Sequence, residues 1–311
     1  MSSNKKTKFF LDGNCKAIPF HIPVIEICGT DSGPTLALIA GIHGDEFEGA
    51  RALHFIDEFL SVTEFRGRVI ILPTANPLAY REQLRETPAQ FDGKNLARIF
   101  PGNSKGTITE CIAEKIWNYL TQNCSSNDLV VDLHSGGRNF AYARLAGVRD
   151  MMIDSPQTKK SIAAARAMRM DKLWLIEPTP GTLTTSLIAS GIPAIGCEVE
   201  GRGGLVTSDV NRYVAGVKNL LSHLDMIVGV PVKVDNGEFF RTKTINSTVA
   251  GYAINVVSLN EQVKKGQVLC KVLDYFGEEI EEIKADIDGE IWAIRTSPSI
   301  NQGDIVVLIR E

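Results

Sequence analysis

Leu36-Ala37-Leu38-Ile39-Ala40-Gly41-Ile42-His43-Gly44-Asp45-Glu46 is the stretch on which the reading of this chain turns. Leu36 to Ala40 is an apolar run closed by Gly41, the pattern of a buried strand. Beyond Glu46, residues Phe47, Ala50, Leu53 and Phe55 recur at helical spacing as far as Leu60, so the segment 46–60 is expected to be a helix. An imidazole, His43, and a carboxylate, Glu46, therefore stand where a strand turns into a helix. Open α/β sheets hold their ligands at such places. A catalytic zinc takes three protein ligands of the His and Glu type and leaves one position open. His43 and Glu46 supply two of them.

The third must come from the remaining histidines, His21, His54, His134 and His223. His54 and His223 fall inside amphipathic helical segments and His21 inside an early strand, where the plain reading is a surface or satisfied core histidine. His134 differs. It ends the apolar run Asp128-Leu129-Val130-Val131-Asp132-Leu133 and precedes Ser135-Gly136-Gly137. Asp132 lies two residues earlier, on the same face of a strand. A ligating histidine commonly donates its second N–H to a carboxylate, so Asp132 is the candidate to orient one of the two histidines.

The rest of the chain bounds the problem. A length of 311 residues, 44% hydrophobic and 23% charged, is that of a globular protein able to bury a large core and to form two domains. A net charge of −4 carries no electrostatic footprint for nucleic acid. Six cysteines without a CxxC pair fit free thiols in a cytoplasmic setting. No apolar stretch approaches the length of a membrane span.

In chain order, residues 1–34 read as a tail, a hairpin and a turn over 29–34. The strand and helix of the opening stretch follow, then the apolar strand 68–73. Two strands joined by a helix make a βαβ unit and predict a mixed, largely parallel sheet flanked by helices. Residues 76–106 lose the pattern and read as a long loop carrying Arg81, Arg85, Lys94, Asn95 and Arg98. The loop is either a solvated surface or a carboxylate-binding wall, since arginine grips a carboxylate with a bidentate fork. Thr107 with Glu110 predicts a capping box for a helix over 107–123. Later come a helix near 161–170, a strand over 172–176, a helix to Ser190, a strand over 194–199 and a helix over 208–224. The 194–199 strand carries Glu198 and Glu200, expected on one face. Either could act as a general base beside a metal-bound water, and the chemistry alone does not choose.

After Val228-Gly229 the character changes. Short strands alternate with turns (232–234, 239–242, 248–252, 253–257, 268–273, 289–294, 304–309), with turn signals at Asp235-Asn236-Gly237, Lys264-Lys265-Gly266 and Asn301-Gln302-Gly303. The expected division is a catalytic domain over 1–228 and a smaller all-β, barrel-like domain over 229–311. The latter resembles the hammerhead barrel of biotin and lipoyl carriers. Lys284 lacks the flanking methionines of a carrier lysine, so a cap or an oligomer contact is the expected role.

Four ordered segments carry a further resemblance: Gly41-Ile42-His43-Gly44-Asp45-Glu46, Asn95-Leu96-Ala97-Arg98-Ile99-Phe100-Pro101-Gly102, Asp132-Leu133-His134-Ser135-Gly136-Gly137 and Pro193-Ala194-Ile195-Gly196-Cys197-Glu198. Their order resembles that of the succinylglutamate desuccinylase/aspartoacylase family of zinc carboxypeptidase-like hydrolases, in particular its bacterial N-acyl-amino-acid deacylases. The resemblance implies one zinc ion per chain on His43, Glu46 and His134. It also implies Glu198 as the catalytic glutamate, Glu200 as a salt-bridging residue, and Arg85, Asn95 and Arg98 as the substrate-binding set. The implied reaction is hydrolysis of the amide of a small N-acyl amino acid, with no nucleic-acid or membrane partner and with a homo-oligomer left open. Ala97 departs from the family form Asn-Leu-Asn-Arg-x-Phe-Pro-Gly, where the second asparagine helps hold the substrate, and so leaves the substrate open. Two rivals remain: a zinc carboxypeptidase acting on peptides, and a catalytically silent metal-binding sensor.

Overall fold

The computed structural model describes residues 4–151, 154–232 and 237–311. The expected strand over 232–234 and the Asp235-Asn236-Gly237 turn fall largely outside the described residues. The first half of the chain holds β1 (Lys5–Cys15), β2 (Ile18–Cys28), β3 (Asp31–Ala40), α1 (Glu48–Leu60), β4 (Arg66–Leu72), α2 (Pro77–Glu82), α3 (Ile108–Asn123), β5 (Leu129–Leu133), β6 (Phe140–Tyr142) and β7 (Leu145–Arg149). After these come α4 (Pro156–Ala167), β8 (Lys172–Ile176), α5 (Leu183–Ala189), β9 (Ala194–Glu198), α6 (Thr207–His223) and β10 (Phe239–Phe240). The remaining strands are β11 (Thr242–Asn246), β12 (Gly251–Asn255), β13 (Gln262–Val263), β14 (Val268–Leu273), β15 (Glu279–Lys284), β16 (Gly289–Arg295), β17 (Ser299–Ile300) and β18 (Ile305–Arg310).

Nine strands form one sheet in the order β1-β2-β4-β3-β5-β9-β7-β8-β10. The interior pairs β4–β3, β3–β5 and β5–β9 are parallel, as are β7–β8 and β8–β10, while β1–β2, β2–β4 and β7–β9 are antiparallel. The sheet is thus mixed and largely parallel, as the βαβ pattern predicts. Leu36, Leu38 and Ala40 point into one apolar core with α1, α4 and α6, and Ala37 and Ile39 into a second with α3 and α5. All five side chains are fully buried. A continuous apolar run is what a strand covered on both faces requires. The expected turn over 29–34 is shorter than the pattern suggests, because Asp31 to Pro34 already belong to β3.

The chain leaves β3 through α1 to β4 on one side, and returns to β5 on the other. The crevice at the carboxyl ends of β3, β5 and β9 is therefore a topological switch point. Two glycines shape the exit from β3. Gly41 has φ of +66°, which ends the strand in a left-handed turn. A Cβ on Gly44 would lie 2.1 Å from the carbonyl carbon of Ala79, so its absence lets α2 close onto the His43 loop. The helix α2, inside the stretch read as loop, starts at Asn76, whose Oδ1 accepts from the Ala79 amide at 3.2 Å, with Pro77 in its first turn.

Strands β11, β18, β16 and β13 form a second sheet, and β15, β14, β12 and β17 a third. Both are antiparallel and share one apolar core that includes Ile245, Val272, Ile283, Ile291 and Val307. Edges are exchanged with the first half of the chain: β6 pairs with β16, and β10 adds to β8. Among the described residues no helix is long and apolar enough to cross a membrane.

Candidate metal centre and active site

Three adjacent parallel strands deliver the predicted residues to one place. His43 and Glu46 follow β3, His134 follows β5, and Glu198 ends β9. Donor atoms of His43, Glu46 and His134 lie within 4.8 Å of one another, the spacing of a shared cation. His43 Nδ1 sits 2.8 Å from Glu46 Oε1, and His134 Nδ1 2.9 Å from Glu46 Oε2. The other ring nitrogens are also held. His134 Nε2 is 3.0 Å from Asp132 Oδ2, and His43 Nε2 is 3.1 Å from Asn95 Oδ1. The Asn95 oxygen is fixed in place because it also accepts from the Ala97 amide at 2.9 Å. Asp132 thus stands where its spacing from His134 predicts.

This arrangement supports a fit to a cation. Both rings face oxygen acceptors at both nitrogens. For His134, Asp132 and then Glu46 overcome the cost of burial and lift the pKa well above the usual value. For His43, burial and then Arg85 push the pKa down, so the ring carries a single proton near neutral pH. With that proton on Nε2 toward Asn95, the Nδ1 lone pair points at a carboxylate oxygen. Two lone pairs facing each other repel unless a cation lies between them. The donor set of two imidazoles and a carboxylate, each imidazole supported by an oxygen acceptor, is the set that zinc takes.

Glu198 faces the same cavity as His43, His134 and Asp132, a space of about 330 Å³. Its Oε2 is buried without a hydrogen-bond partner among the described residues. Burial raises its pKa to about 8, with Glu46 adding to the rise and His134 opposing it. Glu200 parts from it: β9 ends at Glu198, and Glu200 pairs with Arg202 and faces a separate depression with Arg144 and Lys172. The expectation that both glutamates share one face fails because the strand stops between them.

Of the substrate set, Arg85 and Arg98 line the cavity and Asn95 does not. Arg85 Nη1 donates to Glu46 Oε1 at 3.0 Å, and Glu46 holds the guanidinium charged against the cost of burial. Arg98 caps its own turn by donating to the Ala97 carbonyl at 2.8 Å. That turn packs on Gly181, whose carbonyl accepts from the Phe100 amide at 3.0 Å. His21 pairs with Asp12 on the surface and lies apart from the site. His54 is exposed on α1, and His223 sits in the last turn of α6.

Sequence reasoning left out Tyr142, Arg149 and Thr184, which line the cavity alongside Glu198. Residues 140–170 show no clear period, and the signal for Arg149 is only its place at the end of the short apolar run 145–148. Arg241, Thr242, Thr244, Ile305 and Leu308 close another side of the cavity, so strands of the second sheet wall the site.

Known proteins resemble this chain over most of its length. Residues 32–224 match the succinylglutamate desuccinylase/aspartoacylase catalytic domain. The chain belongs to the succinylglutamate desuccinylase/aspartoacylase family. It is 30% identical over 288 residues to the N-alpha-acetyl-L-2,4-diaminobutyric acid deacetylase of Halomonas elongata, spanning 90% of this chain and 82% of that protein. The product-bound ectoine utilization protein EutE (DoeB) of Ruegeria pomeroyi superposes with a TM-score of 0.86 at 26% identity, covering 100% of this chain and 96% of that one. An aspartoacylase family protein of Mesorhizobium loti superposes with a TM-score of 0.80 at 27% identity, covering 100% and 96%. The function that family membership brings is that of a deacylase.

Proposed function

We propose that this chain is a zinc-dependent hydrolase that cleaves the amide bond of a small N-acyl amino acid. The observation that carries the reading is the convergence of His43, Glu46 and His134 on one point beside the unpartnered Oε2 of Glu198. One zinc ion per chain would be held by His43, Glu46 and His134. When bound it lowers the pKa of water toward about 7 and draws charge from the amide carbonyl.

The chain's own groups do the rest. Asp132 and Asn95 are placed to accept from Nε2 of His134 and His43, which would leave each Nδ1 free to hold the metal once His134 gives up its second proton. Glu198 takes a proton from the attacking water on its free carboxylate oxygen and delivers it to the departing amine nitrogen. Burial raises its pKa, which favours delivery of the proton to the amine, and a cation held beside it would lower the pKa again and so favour uptake of the water proton. Arg85, on the wall next to Glu46, offers N–H donors to the carbonyl oxygen as negative charge develops there. Arg98 stands at the rim to meet an anionic part of the substrate.

We read residues 1–228 as the catalytic domain and 229–311 as a cap on it. The wall formed by Thr242, Thr244 and Leu308 supports this, because it narrows the cavity to a small molecule rather than a peptide. A reducing, cytoplasmic setting accords with six free cysteines. The test is a panel of N-acetyl amino acids set against dipeptides on zinc-loaded protein. Hydrolysis of the former and not the latter is expected. Preference for dipeptides would favour a carboxypeptidase, and zinc binding without turnover on either would favour a silent sensor.

A further inference from the structure

The cavity extends away from Glu198 along the sheet. In the β7–β9 pairing Leu145 lies opposite Glu198 and Gly147 opposite Gly196. Alternation along the strand places Gly196, Gly147 and Arg149 on the same face as Glu198. Glycine at 196 leaves the floor between them low: a Cβ built there would have only Thr184 Cγ2 within 4 Å, at 3.9 Å. From the Leu145 rung to Arg149 is about 13 Å by strand rise. Glu198 and Arg149 both line the cavity, and their backbone positions lie at the two ends of that span, which is long enough for an amino acid.

Arg149 is built for an anion that the protein itself does not provide. Its Nε donates to Thr184 Oγ1 at 2.9 Å and its Nη1 to the Glu177 carbonyl at 3.2 Å, both neutral acceptors. Among the described residues no carboxylate forms an ion pair with it. These two bonds fix the plane of the guanidinium while leaving Nη2 unclaimed by them. Burial pushes its pKa down to about 10, more than the nearby charges of Asp132 and Glu198 restore. Arg85, by contrast, already has Glu46.

We infer that Arg149 is the specificity-determining residue for the leaving half of the substrate, gripping the carboxylate of the amino acid released. This inference rests on the amide-hydrolase reading above. The direction follows from Glu198: the group that protonates the departing amine lies at the head of the arm over Gly196, so the amine half occupies that arm and the acyl half lies on the other side of the scissile bond.

The test compares the N-acetyl amino acid of the panel that the wild type hydrolyses fastest with its carboxamide, on wild type and Arg149→Met. Wild type is expected to favour the carboxylate. Arg149→Met is expected to lose that preference by about 10- to 100-fold, the worth of a charge-assisted hydrogen bond, mainly through KM. A merely structural arginine would lower both substrates by one factor, and that result overturns the inference while leaving the hydrolase reading standing. A wild type inactive on the whole panel overturns both. If Arg149→Met does not fold, Gly196→Ala serves instead. Its methyl is tolerated by Thr184 but narrows the arm, so KM for the carboxylate substrate should rise while zinc content is unchanged; an unchanged KM would overturn the inference.

Discussion

Replacing Asp132 isolates one link in the site, the support of a ligand by its neighbour. Asp132 is buried and stands 3.0 Å from His134 Nε2 through Oδ2, while its Oδ1 has no hydrogen-bond partner among the described residues. In Asp132→Asn the amide oxygen can still accept from the ring, so the tautomer survives and what goes is the charge. The amide nitrogen then takes the place of the unpartnered oxygen and finds no acceptor, at a cost to stability of about 1–3 kcal/mol. Loss of such an oriented carboxylate weakens metal binding by roughly 10- to 100-fold, or about 1.4 to 2.7 kcal/mol. Asp132→Asn should lie near the lower figure and Asp132→Ala, which also removes the acceptor, near the upper. The effect has a pH signature. Asp132 is the foremost group lifting the His134 pKa, so the variant ring gives up its proton more readily. As pH drops, protons compete with zinc less in the variant than in wild type, so the gap should narrow between pH 8 and pH 6. Competition titration against a chromophoric chelator measures both. Zinc affinity within twofold of wild type for both variants would refute the reasoning.

Glu198→Gln should keep a full zinc content and lose about 10²- to 10⁴-fold in kcat, read by metal analysis and steady-state kinetics; normal turnover would reject the general-base role. The same variant carries a stability test. A carboxyl whose folded pKa is raised from 4.5 to about 8 binds more protons folded than unfolded across that window, so the zinc-free wild type should lose stability as pH rises from 5 to 8. Melting curves in chelator should show that loss, and Glu198→Gln should show less of it. Gly44→Ala forces a methyl to 2.1 Å from the Ala79 backbone and should cost about 1–3 kcal/mol in denaturant titrations, together with activity, because α2 and the His43 loop are pushed apart. Adding zinc to the stripped protein at a hundred times its dissociation constant should raise stability by about 2.7 kcal/mol, seen as an upward shift in the melting temperature.

Much of the site was legible because its parts lie at strand ends. The run 36–40 is apolar throughout, which marks a strand buried on both faces, and Gly41 marks its end. His134 and Glu198 close similar runs, so their convergence follows from parallel pairing. The placement of Asp132 beside His134 follows from period two alone. Other features were hidden for physical reasons. The start of α2 was readable from Asn76-Pro77, yet six residues give too little periodicity to stand out from the surrounding loop. Arg149 lines the cavity from β7, which runs antiparallel to β9, a reversal that no local pattern records. Thr242 and Leu308 reach it because the second sheet folds back over the first, through the pairing of β6 with β16. Glu198 and Glu200 looked equivalent by alternation, and only the end of β9 separates them.

The central claim is that His43, Glu46 and His134 share a zinc ion that the reaction requires. Anomalous diffraction across the zinc edge on crystals of the purified protein tests it most directly. One peak per chain, bounded by the two Nδ1 atoms and the Glu46 carboxylate, with deacylase activity that disappears on chelation and returns with zinc, is the expected result. No peak at that point in a protein that hydrolyses N-acyl amino acids in the presence of chelator would contradict the account.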